Sequence, residues 1–91
     1  MPITVLTVNH EAGLHARPLA QFVKTVNAFD AEAQVTNLTG GKGPVNGSSP
    51  LQLLLLAVLN GHEIEIETSG EQAEELLAAL ETLVNSNFGE S

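Results

Sequence analysis

The sequence contains no cysteine among its 91 residues. This absence excludes a disulfide framework, thiol chemistry and a thiolate metal site, including the Cys-x-x-Cys loop of small metal carriers. A long hydrophobic segment is also missing, because the longest apolar run, residues 53–59, is far shorter than the roughly 20 residues that span a bilayer. The start Met-Pro-Ile-Thr has no basic region typical of a secretory signal. We therefore expect a cytoplasmic protein without membrane insertion.

Positive charge is scarce in this chain. Three basic residues, Arg17, Lys24 and Lys42, stand against 11 acidic ones, and the formal net charge is −8. Nucleic acids and anionic membranes bind positive protein surfaces, so neither is an expected partner. The sequence also has no Gly-rich nucleotide loop and no paired carboxylates suited to a cleft, which argues against an independent enzyme.

The patterning favours one globular domain spanning 1–91, with 43% hydrophobic residues. Its periodicity predicts the order βαββαβα. The predicted strands are 3–8, 32–38, a short one at Val45 and Asn46, and 63–67. The predicted helices are 16–27, 50–59 and one after Ser69 and Gln72, which have capping-box spacing, with residues 85–91 expected to fray. Alternating strands and striped helices favour an α+β fold, a four-stranded sheet with three helices on one face.

His15 lies at the predicted N-cap of the first helix. Free backbone N–H groups and the positive end of the helix dipole bind anions there. Imidazole is nucleophilic near neutral pH, and the Arg17 guanidinium can hold phosphate oxygens. Pro18 fixes the first turn, and Gly13 permits a positive φ in the preceding loop. The cluster suits a phosphoryl group carried on nitrogen, and the alternative is a capping histidine without chemistry.

The segment Gly13-Leu14-His15-Ala16-Arg17-Pro18, with Leu-Ala-Gln-Phe-Val-Lys after it, closely resembles the HPr family of phosphocarriers of the bacterial phosphotransferase system. The likeness covers essentially the whole chain. It includes residues 29–32, Ser49, Gly61, residues 64–66 and Ser69-Gly70.

The resemblance implies an open-faced β-sandwich of four antiparallel strands and three helices. It implies that His15 is phosphorylated at Nδ1 by enzyme I and then phosphorylates an enzyme IIA-type domain. Arg17 would neutralise phosphate charge, and the Ala16 and Arg17 amides would face the phosphate. No cofactor or metal is expected, and the carrier is expected to be a monomer.

Several positions depart from the family pattern. Ala12 replaces a small polar residue that helps to orient the imidazole in relatives, and the loop 40–47 is longer than usual. Lys24 is the main remaining lysine of a docking face that is more basic in relatives. We therefore expect weaker electrostatic steering toward an acidic enzyme I.

Ser49 matches a position that is phosphorylated for regulation in some relatives. A phosphate at the start of the second helix would repel docking partners, and Ser48 could share that role. The alternative is simple N-capping, and Pro50 after the serine differs from the apolar residue that an HPr kinase usually meets there.

The second helix is apolar nearly all round, whereas one stripe needs about half of its residues. We predict that Leu51, Leu54 or Leu55 is exposed and docks partners together with Phe22 and Lys24 on the first helix; the alternative is deep burial. His10 and His62 are expected at the surface, with His10 framing the His15 loop. The three histidines match no metal-ligand spacing.

Three functional interpretations remain at this point. The main interpretation is phosphoryl relay in sugar uptake. The same relay in the nitrogen-related branch is the second, because residues 85–89 and the third helix resemble that branch's carrier. A purely regulatory interaction protein of the same fold is the third, although such relatives lack the active histidine that is present here as His15.

Overall fold

A computed structural model describes residues 2–89 of the chain. The strands are β1 (Ile3–Thr7), β2 (Glu32–Asn37), β3 (Lys42–Asn46) and β4 (Glu63–Ser69). The helices are α1 (Ala16–Asn27), α2 (Pro50–Leu55) and α3 (Ala73–Asn85), followed by a short 3-10 helix at Asn87–Gly89. No helix in the described part of the chain has the length and apolar character needed to cross a membrane.

The four strands form one antiparallel sheet in the order β1-β4-β2-β3. Buried and exposed residues alternate along β2 and β4, as expected for a sheet with one covered face. The buried side chains Val35, Ile64 and Ile66 belong to the core beneath the helices. Exposed Ile3 and Val5 lie on β1 at the edge of the sheet.

Helix α2 is shorter than the predicted helix 50–59, because it ends at Leu55. Ala57 has a φ of 52°, so the backbone turns there into the left-handed region. Leu53, Leu56 and Val58 are all buried, and a straight helix cannot place positions 56 and 58 on the same face. The core therefore favours the turn over a longer helix.

Strand β3 is longer than the predicted pair Val45 and Asn46, because it begins at Lys42. It lies at the edge of the sheet, where Pro44, which has no N–H, is tolerated. Because Gly43 and Pro44 are uncommon in strands, a search for β-branched residues did not detect the first part of this strand.

The predicted capping box at Ser69 and Gln72 is wrong. Ser69 ends β4, and Gln72 is the N-cap of α3 without a side-chain capping bond. The Gln72 side chain instead accepts a hydrogen bond from the Asp30 N–H at 2.7 Å. It therefore ties the start of α3 to the loop before β2.

The predicted fraying of residues 85–91 is also wrong as far as residue 89, and positions 90 and 91 lie outside the described residues. Asn85 is the last residue of α3. Phe88 is only 1% exposed and belongs to the core. The buried aromatic side chain of Phe88 therefore attaches this short segment to the core.

Candidate functional site at the start of the first helix

His15 is the N-cap residue of α1 and has an extended backbone, with φ −135° and ψ 167°. The first backbone hydrogen bond of the helix runs from the Leu19 N–H to the His15 carbonyl oxygen at 3.4 Å. The N–H groups of Ala16 and Arg17 therefore have no intrahelical partner, and Pro18 has no N–H at all. The predicted position of His15 at a helix mouth with free amides is confirmed.

The His15 ring is half-buried and therefore reachable from solvent. Its Nδ1 lies 3.1 Å from the Ala12 carbonyl oxygen. A carbonyl oxygen only accepts hydrogen bonds, so Nδ1 carries a proton and donates it in this arrangement. The lone pair of the neutral ring is then on Nε2. The Ala12 backbone thus orients the imidazole, although Ala12 has no polar side chain.

The loop before His15 is supported from below by His10. The Ala12 N–H donates to Nδ1 of His10 at 3.0 Å. The His10 ring meets Phe88 edge-on, with ring centroids 5.9 Å apart and an interplanar angle of 83°. His10 is 9% exposed, so the expectation of a surface histidine is wrong, while the expectation that it frames the His15 loop is confirmed.

Gly13 and Leu14 fix the position of the backbone before His15 through their contacts with Val58 and Leu59. Leu14 is fully buried, and its N–H donates to the Val58 carbonyl oxygen at 3.0 Å. Gly13 has a φ of 65°, and a Cβ on it would lie 2.9 Å from the Leu59 Cα and closer still to the Val58 oxygen. Glycine is therefore required at position 13 by both conformation and space.

Of the two residues after His15, Ala16 has a strained backbone and Arg17 has a charged side chain without a partner among residues 2–89. Ala16 has a φ of 52°, which costs about 1–2 kcal/mol for a residue with a Cβ. The Arg17 side chain is exposed, and no hydrogen bond or ion pair within residues 2–89 engages its guanidinium. Pro18 is buried against the core. Arg17 is thus available to an anion bound at the helix start.

Two long segments of the chain contain no acidic residue, and one of them includes His15 and Arg17. Residues 12–29 and 33–62 contain no Asp or Glu, and all three basic residues lie in these two segments. They include α1, α2 and β3. This separation of basic from acidic residues can be seen in the sequence from the positions of the acidic residues, whereas the net charge alone does not show it.

Helix α2 and the turn after it expose four leucines. Leu51 is 68% exposed, Leu54 41%, Leu55 66% and Leu59 54%. The predicted exposure of this helix is confirmed, and Leu59 is an addition that the sequence reasoning missed. We call these four residues the leucine patch. Exposed apolar patches of this kind often mark interaction sites.

Phe22 does not belong to this exposed surface. It is 0% exposed and part of the core, so its predicted docking role is wrong. On α1 it lies among Leu19 and Val26, the other large apolar residues that face the sheet. Lys24 is exposed in the last turn of α1, where its charge also suits the negative end of the helix dipole.

Ser49 is the N-cap of α2, and its Oγ accepts a hydrogen bond from the Gln52 N–H at 3.3 Å. The Ser48 Oγ donates to Oδ1 of Asn46 at 2.8 Å. Both serines are half-buried. The capping interpretation of Ser49 is confirmed, while a modification of either hydroxyl stays a prediction.

The three histidines do not form a metal centre. Across residues 2–89, no three His, Asp or Glu side chains are arranged to hold a metal ion. His62 is instead engaged at Nδ1 by the Leu59 N–H at 3.2 Å. The site at His15 is therefore built from a single imidazole, backbone amides and Arg17.

Comparison with known proteins agrees with this arrangement. Residues 4–86 match the PTS-HPr family, described as "PTS HPr component phosphorylation site". The multiphosphoryl transfer protein of Salmonella typhimurium is 40% identical over 83 residues, which are 91% of this chain and 22% of that protein. The chain thus spans about a fifth of the length of that relative. Phosphocarrier protein NPr of Escherichia coli K12 is 39% identical over 91% of this chain and 90% of its own length.

A solved structure confirms the predicted open-faced sandwich. The crystal structure of HPr-C-His from Thermoanaerobacter tengcongensis superposes with a TM-score of 0.93 at 32% sequence identity, covering 100% of this chain and 99% of that one. The family match and this likeness together extend over the helix start, the sheet and α3. The chain belongs to the PTS-HPr family.

Proposed function

We propose that this chain accepts a phosphoryl group on the His15 imidazole from a phosphohistidine of enzyme I and passes it to a histidine of an enzyme IIA-type domain. The observation that carries the proposal is the His15 ring at the mouth of α1, half-exposed and beside two amides without intrahelical partners. A helix N-terminus stabilises a bound phosphate through its N–H groups and dipole.

Each transfer exchanges one N–P bond for another. A lone pair of the neutral His15 ring forms the new bond to phosphorus as the bond to the donor imidazole breaks. The donor ring carries a proton on its other nitrogen and therefore leaves as a neutral imidazole. The free amides of Ala16 and Arg17 and the Arg17 guanidinium stabilise the phosphoryl oxygens. In the transfer to the next histidine, that histidine forms the new bond to phosphorus and the His15 ring is the leaving group.

Attack through Nδ1, as the family resemblance implies, requires one preceding step. The Nδ1 proton is held by the Ala12 carbonyl at 3.1 Å, so the proton must move to Nε2 and the ring must turn away from that oxygen. Binding to enzyme I provides a natural occasion for this rearrangement, because the ring is reachable from solvent.

The leucine patch and the acid-free segments support the partner class. Partners that carry a phosphohistidine must bring it to His15, and α2 makes direct contacts with α1. An apolar partner surface rimmed by carboxylates would match exposed leucines together with Arg17 and Lys24. With only these two cations in α1, electrostatic steering is expected to be modest.

A second candidate is the same relay in the nitrogen-related branch of the system, favoured by the likeness to NPr. Both candidates use the same chemistry at His15 and differ in the enzyme I that loads it. A regulatory protein without phosphoryl transfer is a weaker third, because His15 and Arg17 are both present. A monomer and a cytoplasmic location stay predictions.

The relay is tested by following the phosphoryl group through two proteins. The chain is incubated with phosphoenolpyruvate and either the sugar-branch or the nitrogen-branch enzyme I, and an IIA-type domain is then added. Transfer to the chain and onward to the IIA-type domain is the expected result, and a faster rate with one enzyme I assigns the branch. A chain that is loaded by neither enzyme I contradicts the proposal.

Regulation at Ser49 is a separate prediction. A phosphate on its Oγ would displace the hydrogen bond from the Gln52 N–H and place negative charge beside Leu51 on the leucine patch. An HPr kinase with ATP should then label wild type but not Ser49→Ala, while Ser48→Ala stays labelled. Absence of label in wild type, with a related HPr labelled in parallel, contradicts this role.

A further inference from the structure

We infer that His62 is a positioning residue for His15, acting through the segment of residues 56–62 that supports the phosphorylation loop. The inference rests on the proposed function. His62 is distant from His15 in sequence and matches none of the motifs that mark the site. Its place follows from a chain of hydrogen bonds that links it to the residues immediately before His15.

The ring of His62 holds this segment through one nitrogen. Nδ1 of His62 lies 3.2 Å from the Leu59 backbone nitrogen, and that N–H can only donate. Nδ1 is therefore an acceptor, and the proton of the neutral ring is on Nε2. The His62 N–H in turn donates to the Leu59 carbonyl oxygen at 3.0 Å, so residues 59 and 62 close a tight loop on each other.

Asn37 secures the same nitrogen from the sheet. The Gly40 N–H donates to Oδ1 of Asn37 at 2.9 Å, and Nδ2 donates to the Leu56 carbonyl oxygen at 2.9 Å. These two bonds determine which atom of the Asn37 side-chain amide is the oxygen and which is the nitrogen. The remaining Nδ2 hydrogen points to His62 Nδ1 at 3.2 Å. Asn37 is fully buried, where an unsatisfied donor costs about 1–3 kcal/mol.

The segment held in this way carries the phosphorylation loop. Val58 accepts the Leu14 N–H at 3.0 Å, one residue before His15. Gly13 lies so close to Val58 and Leu59 that a Cβ would not fit. The other end of the segment is tied to the chain after β1, because the Gly61 N–H donates to the Val8 carbonyl oxygen at 2.6 Å. A shift of residues 58 and 59 is therefore transmitted directly to Gly13 and Leu14.

The essential feature of His62 is thus a hydrogen-bond acceptor at the Nδ1 position. Asparagine places a side-chain oxygen near that position and keeps the acceptor, whereas leucine removes it at similar volume. His62→Leu leaves the Leu59 N–H and one Asn37 hydrogen without their partner, and the segment relaxes. Misplacement of a reacting group by about 1 Å can lower a rate by about 100-fold, so a smaller displacement of His15 is still measurable.

The test compares His62→Leu, His62→Asn and a control, Thr68→Val, in phosphoryl transfer from enzyme I and in amide NMR spectra. Thr68 is fully buried and donates to the Ala73 carbonyl oxygen at 2.7 Å, so its loss destabilises the fold at the start of α3, away from His15. We expect His62→Leu to lower the transfer rate about tenfold and to shift the amide signals of Gly13 and Leu14. His62→Asn should keep most of the wild-type rate, and Thr68→Val should keep all of it.

Three results would overturn the inference. They are a wild-type rate and unshifted Gly13 and Leu14 signals in His62→Leu, an equal loss in His62→Asn, or an equal loss in Thr68→Val. His62→Ala replaces His62→Leu if the leucine variant does not fold. If the wild-type chain accepts no phosphoryl group, the proposed function fails, and the Gly13 and Leu14 signals still decide whether His62 positions this loop.

Discussion

Nδ1 of His15 donates a hydrogen bond to the carbonyl oxygen of Ala12, three residues earlier, across 3.1 Å. This contact selects one form of the neutral ring, with the proton on Nδ1 and the lone pair on Nε2. Nitrogen-15 NMR of the unphosphorylated protein, at a pH where the ring is neutral, should show the Nδ1–H tautomer in excess for His15. His62, whose Nδ1 is an acceptor, should show the opposite tautomer in the same spectrum. A dominant Nε2–H form of His15 would contradict the arrangement.

Gly13→Ala tests the support beneath His15. The new methyl group would meet Leu59 and Val58 in addition to the strain of φ 65°. We expect a loss of about 3 kcal/mol or more in the free energy of unfolding. Gly61→Ala is the control, because Gly61 has a φ of 91° and no atom outside its two chain neighbours would lie within 4 Å of the added carbon. Only the backbone strain of about 1–2 kcal/mol then applies. Equal losses in urea unfolding would show that the close approach to Val58 is not important.

Ala16→Gly tests the backbone strain next to the reactive residue. Glycine adopts a φ of 52° without the clash that Ala16 makes, and this gain outweighs the greater flexibility of the unfolded chain. The expected change is a rise of about 0.5 kcal/mol in the free energy of unfolding. Ala20, exposed within the same helix, provides the matched control, because Ala20→Gly should lower stability by about 0.5–1 kcal/mol. A loss of stability in both variants would mean that position 16 is unstrained.

Leu55→Glu tests the leucine patch as a docking surface. Leu55 is 66% exposed, so the charged residue should change stability by no more than about 0.5 kcal/mol while weakening partner binding. We expect a higher KM for the chain in transfer from enzyme I, with kcat less affected. Val5→Glu, at a position 50% exposed on β1, should leave both constants unchanged. The same KM in all three proteins would place the docking surface elsewhere.

The fold was largely predictable because its signals are local. The alternation along β4 and the apolar stripe of α1 both report which face is buried, and α1 has the predicted bounds. The length of α2 was not predictable in this way. Residues 53–59 form one apolar run, so the pattern does not show where the helix ends. The helix ends where it does because Leu56 and Val58 are both buried, which a straight helix does not allow.

The residues that carry the chemistry of the site could be predicted from the sequence, whereas most of the residues that position them could not. His15 and Arg17 could be identified as site residues from their residue types and their spacing. The carbonyl of Ala12, the buried ring of His10 and the amide of Asn37 act through contacts between segments that are distant in sequence, and no local pattern encodes them. The docking role predicted for Phe22 was wrong because its position on α1 does not by itself show that its side chain faces the core.

The most direct measurement of the central claim is the mass and acid stability of the chain after incubation with enzyme I and phosphoenolpyruvate. The account predicts one added phosphoryl group that is lost in acid, kept in alkali and absent from His15→Ala. Arg17→Ala should still take up the group, more slowly. An acid-stable adduct, or an adduct that persists in His15→Ala, would contradict the account.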